Sequence, residues 1–91
     1  MGVMKTTTPV QIQPLGGLAG RVTARIRMVM AAKRRTVIDL AQVLHLSERQ
    51  AQRLHKGHIA YSFGQVETVA KWLGVDEMTL LAGQGLEAVA A

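Results

Sequence analysis

The sequence predicts an all-α fold of five short helices, and three observations carry that prediction. Apolar residues recur at steps of three and four through most of the chain after residue 17. Ser, Thr or Asp stands ahead of each such run from the second onward, and glycines close several of them. No stretch alternates apolar and polar residues for long enough to make a convincing strand, and there is no internal repeat.

Residues 1–17, MGVMKTTTPVQIQPLGG, hold both prolines, a Thr run and a Gly pair, with brief alternation in Val10-Gln11-Ile12. They are expected to form a flexible N-terminal arm, with at most a short extended piece. Helix 1 is predicted from Leu18 to Lys33. Its Leu18, Val22, Ile26, Val29 and Met30 share one side, whereas Arg21, Arg25 and Lys33 fall elsewhere. Thr36 starts helix 2, Asp39 stands three residues on in a box-like arrangement, and Leu40, Ala41 and Leu44 face inward.

His45-Leu46 make the next corner, and Ser47 caps helix 3 with Gln50 placed to reach back to it. Leu46 and Ala51 can form a weak hydrophobic staple across that cap. Gly57 stops helix 3, His58 to Tyr61 form a loop, and Ser62 caps helix 4 with Gln65 as its box partner and Tyr61 against Val66 as its staple. Gly74 ends helix 4 and Asp76 caps helix 5, where Met78, Leu80 and Leu81 offer apolar surface before Gly83 and Gly85 interrupt it. The helical domain is therefore placed at residues 18–82, followed by a short C-terminal tail, 83–91, with at most a loose helical turn.

A chain of 91 residues with 48% apolar content fits one compact domain, but one that buries only about two-thirds of its unfolded surface. Dimerisation is an expected source of further stability. The absence of cysteine excludes disulfides, thiolate metal sites and cysteine nucleophiles, and agrees with a reducing cytoplasm. No apolar stretch approaches the ~20 residues of a membrane span, and no apolar signal-peptide run follows Lys5. A soluble cytoplasmic protein is expected, with no membrane partner. The net charge of +5 is unevenly placed: residues 21 to 58 hold nine of the eleven Lys/Arg and only two acids, Asp39 and Glu48. From residue 59 one Lys faces four acids. That split implies one face for a polyanion and another for a protein partner or a second copy.

The stretch from Thr36 to Gly57, TVIDLAQVLHLSERQAQRLHKG, carries the functional signal. Two short amphipathic helices meet at a three-residue corner. Ala41 sits where they should cross, and Leu40, Leu44, Leu46, Ala51 and Leu54 complete the seam. Every other position of helix 3 is polar: Glu48, Arg49, Gln50, Gln52, Arg53, His55 and Lys56. Major-groove base edges call for that chemistry, since Arg can grip guanine N7 and O6, Gln can pair with adenine and Glu can accept from cytosine. This is the layout of a helix-turn-helix that reads double-stranded DNA.

Residues 22 to 81 resemble, without gaps, the Cro/C1-type or XRE family of phage repressors, Cro proteins and bacterial antitoxins. Arg25-Ile26-Arg27 matches the family's basic first helix; Leu40-Ala41, Leu44, Leu46-Ser47 and Arg53-Leu54 match its central motif. Gly57 matches the glycine after the recognition helix, and Val69-Ala70-Lys71-Trp72-Leu73-Gly74-Val75 with Leu80-Leu81 matches its distal helices. Three positions depart from the pattern: Val37 stands where a phosphate-holding Gln is frequent, His45 where the turn glycine is usual, and Ala51 where a larger aliphatic residue is common.

The resemblance implies a compact five-helix, lambda-repressor-like helix-turn-helix domain. It makes Arg49, Gln50 and Arg53 the leading base readers, with Glu48 and Gln52 beside them. Phosphate contacts are expected from Thr36 and Ser47 at helix N-termini, from Lys56 and His58 near the loop, and from Lys33, Arg34 and Arg35. The function it implies is a sequence-specific transcriptional regulator, a phage or prophage repressor or Cro-like protein, bound as a homodimer to a pseudo-palindromic operator. Helix 5 and the tail, through Met78, Leu80, Leu81, Leu86 and Val89, are the foremost expected dimer surface, with the arm as the other candidate.

Competing readings of the same residues are plainer. Arg49 and Arg53 could be solvated, Ser47 and Ser62 caps alone, and Tyr61 and Trp72 packing groups. His55 and His58 stand three apart with no third ligand, so no metal is expected, and no cofactor either. No catalytic constellation or phosphate-cradling glycine loop is present, which argues against an enzyme. The alternative function is an antitoxin of the same fold that binds a toxin and represses its own operon.

Overall fold

The computed structural model describes residues 15–90, so the expected arm lies outside the described residues except for Leu15, Gly16 and Gly17. The all-α expectation holds, with no strand among the described residues. Six helices occur there: α1 (Gly17–Ala32), α2 (Val37–Leu44), α3 (Glu48–Lys56), α4 (Phe63–Leu73), α5 (Glu77–Ala82) and α6 (Leu86–Ala90). None of them is long and apolar enough to cross a membrane.

α1 is the organising element. It packs against α3, α4, α5 and α6, while α2 packs against α3 and α4. The reason lies in its apolar stripe: Val22, Ile26, Val29 and Met30 are all buried, in one cluster with Leu40 of α2, Ala51 of α3, Val69 and Leu73 of α4 and Leu80 of α5. Each fully buried side chain of this size contributes about 1.5–3 kcal/mol. Ala41 and Ala51 are buried together in the region where α2 packs on α3.

The helix starts follow the caps read from sequence. Thr36 and Asp39 form a full capping box, the Thr36 hydroxyl accepting from the Asp39 amide and the Asp39 carboxylate accepting from the Thr36 amide. Ser62 and Gln65 do the same at α4. At α3 only half of the expected box forms: Ser47 accepts from the Gln50 amide at 3.1 Å, but the Gln50 side chain does not reach back.

The helix ends reveal a device that residue types alone conceal. At the ends of α1, α2, α3 and α4, one amide bonds the carbonyl five residues back while its predecessor bonds the carbonyl three back. This double closure puts one residue in left-handed backbone. Gly57 and Gly74 fill that place after α3 and α4, but Arg34 (φ 57°) and His45 (φ 56°) fill it after α1 and α2. His45 was the position flagged by its departure from glycine; Arg34 was not foreseen.

The C-terminal tail holds the short helical turn allowed for it, the five-residue α6, and Leu86 and Val89 pack against the core alongside Leu81. Of the expected dimer surface Leu80 is fully buried, Leu81, Leu86 and Val89 are half-buried, and Met78 is exposed. The apolar residues of α5 and α6 close the monomer because α1 needs a cover on the side that α3 and α4 do not reach. Other large apolar side chains are exposed as well: Ile38 at 55% on α2, and the pair Phe63, at 78%, and Leu18, at 53%. That pair flanks an apolar depression of about 180 Å³ between α1, α4 and α5 that also contains Val66 and Leu81.

Candidate nucleic-acid interface

α3 presents its polar side to solvent because its only fully apolar residues, Ala51 and Leu54, are both consumed by the core. Glu48, Arg49, Gln50, Gln52 and Arg53 are all exposed. At 3.6 residues per turn, Arg49, Gln52, Arg53 and Lys56 occupy the middle of the outward face, with Glu48 and Gln50 on its two flanks. The structure gathers the middle group into one shallow cleft of about 390 Å³, lined by Arg49, Gln52, Arg53, Lys56 and His58. No acidic side chain lines it. Base-reading and phosphate-binding candidates thus share one positive surface.

The other phosphate candidates have distinct settings. Lys33, Arg34 and Arg35 are exposed at the α1–α2 corner, where the left-handed backbone of Arg34 costs about 1 kcal/mol or more relative to glycine. Ser47 is exposed at the start of α3, with its hydroxyl engaged by the Gln50 amide. Thr36 is exposed as well, but its amide and hydroxyl both donate to the Asp39 carboxylate, at 2.9 and 3.0 Å. An anion therefore already occupies the N-terminus of α2. Those bonds, the Thr36 amide foremost and then its hydroxyl, together with the nearby Arg35 charge, hold the Asp39 carboxyl below the usual carboxylate range.

α1 adds two arginines with opposite roles. Arg25 turns inward, its Nη1 donating to the Leu81 carbonyl at 2.9 Å and the Leu80 carbonyl at 3.2 Å, so it caps the end of α5. Arg27 is exposed, and its charge is felt by His55 of α3 and by Tyr61. Burial, then that charge, lowers the His55 imidazole from its ordinary value and so disfavours its charged form. Burial raises the Tyr61 phenol, whose oxygen is buried without a hydrogen-bond partner. Tyr61 and Trp72 both pack against the core.

Sequence reasoning treated Arg25 and Arg27 alike, as one basic first helix. A two-residue offset on a helix is a turn of about 200°, which was signal enough to part them, but which one met α5 depended on packing.

A helix, a left-handed corner and a second helix with a wholly polar outward face, braced by α1 and α4, define a helix-turn-helix DNA-binding domain. The chain belongs to the BetR-domain family, whose model it matches over residues 18–90. That family is one of helix-turn-helix DNA-binding, non-catalytic domains, related to the Cro/C1-type proteins and tied to transcriptional regulation. No curated protein and no solved structure matches the chain.

Proposed function

We propose that this chain is a sequence-specific double-stranded DNA-binding regulator that lays α3 in the major groove and represses by occluding a promoter, in the manner of a phage or prophage repressor or Cro-like protein. The observation that carries this reading is the acid-free cleft in which Arg49, Gln52, Arg53, Lys56 and His58 share the outward face of α3. Arg49 and Arg53 are the principal base readers. Gln52 lies between them, and Glu48 and Gln50 reach bases from the flanks. Lys56, His58, Ser47 and the Lys33-Arg34-Arg35 corner position the backbone, and Thr36 contributes mainly by holding α2.

The operator is pseudo-palindromic, read by a homodimer with recognition helices one duplex turn, about 34 Å, apart. The second copy docks through the Leu18–Phe63 surface, where two exposed apolar side chains flank an apolar depression, whereas Leu80 is buried and Leu81, Leu86 and Val89 pack against the core. Selection of bound duplexes from a random pool at near-physiological salt tests the reading, with the Arg49→Ala/Arg53→Ala variant alongside. An inverted repeat enriched by the native protein and lost in the variant is the expected result, each bidentate contact contributing about 1–3 kcal/mol of discrimination. Absence of any enriched sequence would defeat the proposal.

A further inference from the structure

The positive surface does not stop at the end of α3. A second depression, of about 160 Å³, lies between α1 and the last turn of α3 and is lined by Leu15, Gly20, Thr23, Ala24, Arg27 and Lys56. Lys56 lines both this depression and the recognition cleft, so the two adjoin at that side chain. No acidic side chain lines either one.

Its shape is built by small residues and by the root of the N-terminal segment. The Leu15 amide donates to the Gly57 carbonyl at 3.0 Å, which brings that segment across the end of α3. Gly20 makes room for the crossing, since a Cβ there would collide with the Leu15 carbonyl oxygen. Ala24, one turn on, is exposed and leaves the floor low. The result is a concave spot with two long cations at its edge.

Electrostatics gives that spot a purpose. The C-terminal end of a helix carries the negative end of its dipole and repels a nearby phosphate. A duplex lying along α3 meets that end wherever its backbone crosses the last turn. Arg27 supplies, from a different helix, the cation needed there.

We propose that this depression seats a backbone phosphate of the bound duplex, held by Arg27 of α1 together with Lys56. The inference rests on the duplex-binding reading above and extends it from the helix-turn-helix to α1. The contact carries no base information, so it positions the protein on operator and random sequence alike.

The test is the salt dependence of affinity, measured on the selected operator and on a random duplex, for the native protein and for Arg27→Gln, Arg27→Lys, Ala24→Glu and Arg21→Gln. Losing one phosphate contact lowers the log–log slope by about 0.9, so between about 50 and 200 mM salt Arg27→Gln should lose about 3.5-fold less affinity than the native protein. The same change is expected on both duplexes, with the selected motif intact. Arg27→Lys should keep the native slope, and Ala24→Glu should weaken every duplex by setting a carboxylate in the seat. Arg21→Gln, an exposed cation of α1 outside both depressions, should leave the slope unchanged.

An unchanged slope in Arg27→Gln, or an equal drop in Arg21→Gln, overturns the seat while leaving the helix-turn-helix reading in place. A native protein that binds no duplex overturns both. Ala24→Glu sits on an exposed helical surface, so it decides the matter even if a substitution at Arg27 unsettles α1.

Discussion

Arg25→Met removes a guanidinium while keeping most of its aliphatic stem, and it separates a structural arginine from a DNA-binding one. In the native fold Nη1 is shared between the carbonyls of Leu80 and Leu81, at 3.2 and 2.9 Å, in the last turn of α5. Nη1 carries two N–H groups and can serve both carbonyls; taking the half-buried pair at the value of one well-formed charge-assisted bond gives about 1.5–3 kcal/mol, and the favourable placement of a cation at a helix C-terminus adds about 0.3–1 kcal/mol. Methionine recovers some of the packing, leaving a net loss of about 2 kcal/mol. For a domain of this size that is a fall in Tm of about 8–16 °C. Thermal unfolding followed by far-ultraviolet circular dichroism measures it, and the salt slope of duplex binding is read on the same protein below its transition. The slope should not change, because this guanidinium is spent on α5. A Tm within about 2 °C of native, or a slope reduced by about one phosphate contact, would refute the structural role.

Three further outcomes follow from particular residues. Arg34→Gly and His45→Gly each relieve left-handed strain and should raise stability by about 1 kcal/mol in chemical denaturation, yet only Arg34→Gly should also weaken binding to every duplex. Asp39 titrates below its ordinary 3.8 in the folded chain, so its stabilising contribution is fully present above that value and is lost as pH falls through the native pKa. Asp39→Asn should accordingly lower stability at neutral pH and show a shallower loss on acidification below about pH 5, which denaturation curves across that window will show. Phe63→Glu should shift sedimentation toward the monomer and weaken binding to a full inverted repeat far more than to an isolated half-site, whereas an unchanged sedimentation profile would remove the Leu18–Phe63 surface as the dimer contact.

The positions of α2, α3 and α4 were legible because their signals are local. A cap hydroxyl, an acid or amide three residues on and a closing glycine act within one turn, so Thr36–Asp39 and Ser62–Gln65 could be read directly. The polar face of α3 was equally plain, since only Ala51 and Leu54 are apolar in it. Gln50 shows the limit of such reading: its spacing fits a capping box, but a side chain chooses between a backbone amide and solvent by small energy differences that spacing does not encode. The left-handed turn at Arg34 escaped notice because arginine carries no turn propensity there; the double closure at the end of α1 imposes it.

By itself, the sequence determined the helical fold, the helix-turn-helix and the residues that α3 turns outward, because periodicity and capping are properties of neighbours along the chain. Only the tertiary structure decided how three sets of side chains are used. It directed Arg25 into α5 and left Arg27 outside, gathered Arg49, Gln52, Arg53, Lys56 and His58 into one cleft, and packed Leu80, Leu81, Leu86 and Val89 onto the core while Phe63 stayed in solvent. Those assignments depend on which helix covers which side of α1. Apolar burial is non-directional, so an apolar stripe marks a residue for burial without naming the surface that will bury it.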